Sequence, residues 1–98
     1  MSTYISLVNY TEMGIRKIKE SPGRLDDVKK LARDLGGELK LFYLCLGAYD
    51  IVVVYDMPDN AKAATFALSI GAVGAVRTTT MAAFPEAEYK DIIGAIAA

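Results

Sequence analysis

Apolar positions along the chain recur in two rhythms, one of period two and one of three to four. Thr3–Tyr10 (TYISLVNY) is rich in aromatic and β-branched residues and predicts a strand. Thr11 offers a cap for a short helical turn at the surface, in which Ile15 and Ile18 stand three apart. Ser21-Pro22 then reads as a helix start, a capping hydroxyl followed by a proline where no N–H is needed. Leu25, Val28, Leu31, Ala32 and Leu35 follow at helical spacing and form one apolar stripe, which Gly36-Gly37 terminates. Glu38–Leu46 and Tyr49–Met57 predict two strands joined by Gly47-Ala48 as a two-residue turn. That register pairs Leu46 with Tyr49, Cys45 with Asp50, Leu44 with Ile51 and Lys40 with Tyr55. Pro58 and Asp59 stop the strand, and a helix of small apolar residues is expected from Asn60 to Val73. Val76–Phe84 predicts a fourth strand. After Pro85 comes a last helix, with Tyr89, Ile92, Ile93 and Ile96 on one side.

The order β, α, β, β, α, β with an extra C-terminal helix predicts an α+β, ferredoxin-like βαββαβ domain spanning residues 1–98, with a four-stranded antiparallel sheet. Helices on one face of an antiparallel sheet leave the other to water, and strands then alternate apolar with polar. Ile51-Val52-Val53-Val54-Tyr55 and Leu41–Leu46 do not alternate. The second face therefore needs a cover: either the C-terminal helix, or a second copy of the sheet in a homodimer or higher oligomer. The hairpin register sends Phe42, Leu44, Leu46, Ile51 and Val53 toward the helices. It sends Leu39, Leu41, Tyr43, Cys45, Asp50, Val52 and Val54 the other way. Asp50 is the exception on an apolar face, because a carboxylate there needs a partner. It is read as a cap for backbone N–H groups near the turn, as half of an ion pair with Arg77, or as a ligand group.

Gly47-Ala48-Tyr49-Asp50 followed by Ile51-Val-Val-Val resembles the GYD-domain family. The likeness runs on through Met57-Pro58-Asp59, Phe66-Ala-Leu and Gly74-Ala-Val-Arg-Thr-Thr-Thr-Met-Ala-Ala-Phe84, and back to Gly14-Ile-Arg and Ser21-Pro22. In this chain Ala48 stands between Gly47 and Tyr49. The resemblance implies a dimeric α+β barrel and no particular activity. Relatives by fold include small monooxygenases, haem-degrading enzymes and amino-acid-binding regulatory domains, and a shared fold does not choose among them.

Composition narrows the chemistry. The 11 Lys and Arg nearly balance the 12 Asp and Glu, which argues against nucleic acid as a partner. The cations between Arg16 and Arg33 alternate with Glu20, Asp26, Asp27 and Asp34 and read as a solvated helical surface. With no His and one Cys, neither an intrachain disulfide, a Cys or His metal site, nor a Cys–His nucleophile can be built, and no cofactor is expected. Cys45 reads as a small buried hydrophobe. No apolar run approaches the roughly 20 residues of a membrane helix, and no signal peptide is visible, so a cytoplasmic protein is expected.

Tyr10, Tyr43, Tyr49, Asp50 and Arg77 remain as candidate ligand-binding residues. Tyrosines combine an apolar body with a polar tip and suit a small apolar or aromatic ligand. Two functions follow. One is a non-catalytic homo-oligomer that binds a small molecule at the sheet face. The other is a cofactor-independent, monooxygenase-like enzyme using Tyr49, Asp50 and Arg77 in a cleft between sheet and helices.

Overall fold

The computed structural model describes residues 1–97. The chain runs β1 (Ser2–Tyr10), α1 (Glu12–Arg16), a 3-10 turn (Ile18–Glu20), α2 (Ser21–Asp34), β2 (Glu38–Leu44), β3 (Ile51–Met57), α3 (Asn60–Val73), β4 (Val76–Ala83) and α4 (Glu86–Gly94). The strands form one antiparallel sheet in the order β2-β3-β1-β4, the ferredoxin-like arrangement. α2 packs along the edge strand β2, and α3 packs along β3 and β4.

Period-two alternation sets the inner face. Tyr4, Ser6 and Val8 of β1 are buried, as are Ile51, Val53, Tyr55 and Met57 of β3, and the residues between them are not. Tyr55 is at the centre. Its ring stacks on Tyr4 at 5.8 Å and meets the edge of Phe66 from α3 at 4.8 Å. The Tyr55 hydroxyl lies 2.9 Å from Ser6 Oγ, and Ser6 Oγ lies 2.8 Å from Thr80 Oγ1. This hydroxyl chain crosses β3, β1 and β4, so the polar atoms inside the core are paired with one another.

Local signals place the helix ends. Asp59 Oδ1 accepts the Lys62 N–H at 2.8 Å and starts α3. Thr11 Oγ1 accepts the Gly14 N–H at 3.2 Å and starts α1. The Thr11 N–H in turn donates to the Ala75 carbonyl at 3.0 Å, so α1 is fastened to the start of β4. Gly14 sits so close to that carbonyl that a Cβ there would overlap it. The N–H groups of Gly36 and Gly37 return to the carbonyls of Arg33 and Ala32 at 3.0 and 2.9 Å and close α2.

Several expectations are corrected. Ser21 is not a cap; it is the first residue of α2, and its hydroxyl lies 2.9 Å from the Tyr10 hydroxyl instead. The strands of the hairpin are shorter than expected, and Cys45–Asp50 connects them, closed by the Cys45 N–H on the Asp50 carbonyl at 2.7 Å. The register shifts by one between Leu39 and Leu41, so Leu39 pairs with Tyr55, a place expected for Lys40. The extra residue turns Leu39 onto the helix side, where it packs on the core. Leu44 and Leu46, expected under the helices, are both exposed, because Leu44 is the last residue of β2 and Leu46 lies in the loop beyond it. Cys45 is half-buried, not core.

α4 does not cover the outer sheet face. Every one of its residues is exposed, including Tyr89, Ile92 and Ile93. The molecule measures 53 Å along its longest axis, with a radius of gyration of 14.9 Å. A compact chain of this length would have about 13 Å.

Candidate functional site

Two apolar surfaces lie open. The first is the outer sheet face. Ile5 and Leu7 of β1 lie beside Val54 and Val52 of β3, which lie beside Leu41 and Tyr43 of the edge strand β2. Met81 of β4 extends the row beyond Ile5. Tyr43 is 61 % exposed, Leu41 49 % and Met81 42 %. The centre of this face carries no charge; Glu38, Lys40 and Asp56 cluster at one end of the strands and Arg77 stands toward the other.

The second is a cleft of about 200 Å3 on the opposite, helix-covered side of the sheet. α2 and α3 follow different edges of the sheet and touch each other little, so the central strands β1 and β3 are roofed incompletely. Val28 and Leu31 of α2, Phe42 of β2 and Ile70 of α3 stay half-buried as a result. Nearly all of the lining is carbon. Its polar lining residues are Ser6, Ser69 and Thr78 on the sheet and α3, and Ser21, Arg24 and Asp27 on the first half of α2, where the Tyr10 and Ser21 hydroxyls pair. Arg24 donates to the Lys17 carbonyl at 3.2 Å and stands 3.8 Å from Glu20 Oε1; its side chain keeps 22 % of its exposure.

The five candidate residues fall in different places. Tyr10 lines the cleft. Tyr43 lies on the outer face, and Tyr49 stands in the hairpin loop, 37 % exposed. Arg77 is exposed and donates to the carbonyls of Gly71 and Val76 at 3.2 and 3.1 Å. Asp50 Oδ2 accepts the Tyr10 N–H at 2.9 Å, while the Asp50 N–H donates to the Val8 carbonyl at 2.9 Å. Asp50 therefore caps backbone, and its cap lies at the end of β1. Tyr49, Asp50 and Arg77 are not brought together in the cleft. Among the described residues, no group of three or more Cys, Asp or Glu side chains is placed to hold a metal ion.

Arg24 escapes notice in the sequence because it sits within a run of alternating charges. The signal that finds it is helical phase. Arg24, Val28 and Leu31 are spaced four and three apart, so the arginine continues the apolar stripe of α2 at its first turn.

Comparison with known proteins agrees with this architecture. The chain is 35 % identical to the glutamine synthetase and cystathionine beta-lyase binding protein of Thermus thermophilus, over 90 % of this chain and 94 % of that protein. Its fold resembles the crystal structure of TTHA0845, also from Thermus thermophilus, with a TM-score of 0.56 and 21 % identity, covering 87 % of this chain and 95 % of that one. The GYD domain profile matches residues 4–93, nearly the whole of the sheet and its helices, and the chain belongs to the GYD domain family.

Proposed function

We propose that this protein is a self-associating binding subunit of the cytoplasm, which pairs with a second copy through its outer sheet face and presents α4 to partner enzymes, without catalysing a reaction itself. The observation that carries this reading is the uncharged apolar centre of the outer face, formed by Ile5, Leu7, Leu41, Tyr43, Val52 and Val54. Three strands at about 4.8 Å spacing, each with two outward residues along about 14 Å, give a patch of about 200 Å2 in plan, which Met81 of β4 widens. Two such faces stacked about 10 Å apart make one shared core. Flat β surfaces without central charges suit a copy of themselves better than a water-facing life.

α4 supplies the second half. The T. thermophilus relative is named as a binding protein for two metabolic enzymes, glutamine synthetase and cystathionine beta-lyase. In this chain Tyr89, Ile92 and Ile93 form an apolar side on a helix that its own body leaves uncovered. A helix of that kind lies readily in a groove of another protein.

Light scattering on the full chain at micromolar concentration tests the pairing. The wild type is expected at twice the chain mass or a multiple of it, and Val52→Lys at the chain mass. A wild-type monomer refutes the pairing. Titration of purified glutamine synthetase or cystathionine beta-lyase against the wild type and Ile92→Asp tests the docking. Binding unaffected by Ile92→Asp, or no binding to either enzyme, refutes the role given to α4.

A further inference from the structure

We propose that the cleft beneath α2 and α3 binds a small aromatic monocarboxylate, with its ring among Val28, Phe42 and Ile70 and its carboxylate on Arg24. This site is on the opposite side of the sheet from the pairing face and does not depend on that reading.

Volume and lining set the apolar part. An enclosed apolar cavity of about 150 Å3 takes benzene. The cleft here has about 200 Å3, room for one ring and a short substituent. Its walls come from all four strands, α2 and α3, so a molecule inside it would restore the burial that Val28, Leu31 and Ile70 lack. At about 25 cal/mol per Å2 of apolar surface removed from water, a single ring gains enough to bind without any covalent chemistry.

The end where α2 begins sets the charge. Arg24 is the cation on the cleft wall. A guanidinium has five donors; Arg24 spends one on the Lys17 carbonyl and forms a surface ion pair with Glu20 at 3.8 Å, too long for a hydrogen bond, with the Glu20 side chain 65 % exposed. Donors remain for a two-pronged grip on a carboxylate. The hydroxyl pair of Tyr10 and Ser21 lines the same end and can turn a donor toward the same anion. Glu20 beside Arg24, and the exposed Asp27 at the rim, oppose a second negative charge, which is why a monocarboxylate fits better than a diacid or a phosphate.

The test is an amide-resolved NMR titration of the full chain with 3-phenylpropionate, with 3-phenylpropan-1-ol as the uncharged analogue. Millimolar acid is expected to shift the amides of Val28, Phe42 and Ile70. Loss of a hydrogen bond to a charged group costs about 1.5–3 kcal/mol, so Arg24→Met should weaken the acid by roughly tenfold or more and leave the alcohol unchanged. Ala67→Phe fills the cleft and should abolish both. Arg24 lies at the cleft mouth, outside the core, so its variant keeps the test open even if Ala67→Phe does not fold. Three results overturn the proposal: no shifts at millimolar acid, shifts confined to the outer-face residues Tyr43 and Val52, or an acid affinity indifferent to Arg24→Met. The oligomeric state is read separately by light scattering, so failure here leaves the pairing intact and the reverse also holds.

Discussion

Asp50 ties together three strand ends, and its substitution has a calculable effect. Its carbonyl accepts from Cys45 after β2, its N–H donates to Val8 of β1, and its carboxylate accepts the Tyr10 N–H at the end of β1. Only the third bond depends on the side chain. Asp50→Asn keeps an oxygen able to accept that N–H and should lose about 1 kcal/mol or less, the charge assistance of the bond. Asp50→Ala leaves the N–H without a partner in a half-buried setting and should lose about 1–2 kcal/mol. For a domain of this size each kcal/mol is roughly 4–8 °C in melting temperature, so the alanine variant should melt about 4–16 °C lower. Arg77→Met should be near neutral, because Arg77 holds two carbonyls at the surface and not Asp50. The double variant Asp50→Asn with Arg77→Met should be additive. Thermal melts at one fixed protein concentration give these values, and hydrogen exchange gives a local readout, with the Tyr10 amide protected in the wild type and Asp50→Asn and exposed in Asp50→Ala. If Asp50→Asn falls by 3–5 kcal/mol and Arg77→Met rescues it, Asp50 is half of a buried ion pair and the cap is refuted.

Phe66→Ala should lose about 3–5 kcal/mol in chemical denaturation, since Phe66 is 1 % exposed and packs edge-on against Tyr55; a loss below about 1 kcal/mol would show that the core can collapse around the gap. Gly14→Ala drives a Cβ into the Ala75 carbonyl and should lose about 1–3 kcal/mol by pushing α1 off β4; melting with the wild type would contradict that contact. Gly47 has a φ of +120° with open space around it, so Gly47→Val should lose roughly 1–3 kcal/mol from backbone strain alone, and an unchanged melt would move Gly47 out of that conformation.

The GYD relatives and the structure agree on what the chain's pattern carried. Element type and order are local properties. A period of two in Thr3–Tyr10 and a period near 3.6 in Leu25–Leu35 are legible because each residue's neighbours a few positions away determine its face. The same holds for Asp59 capping α3 over Asn60–Val73, where the boundaries agree residue for residue. The lack of alternation in β2 and β3 also pointed correctly to an outer face that the chain's own helices leave open. Three things needed the tertiary structure. The bulge at Lys40 reversed Leu39, because one extra residue changes the face of everything before it and leaves no mark in composition. The partner of Asp50 is 40 residues away, on a strand end that only sheet assembly brings near, and a carboxylate satisfied by an N–H looks in sequence like one awaiting an arginine. The cleft exists because α2 and α3 lie along different edges of the sheet, a consequence of helix placement over the whole domain. Arg24 was therefore visible as a charge but not as a residue lining a cleft. In the sequence it is one of the cations between Arg16 and Arg33, while in the fold it lines a cleft whose other walls come from four strands and α3.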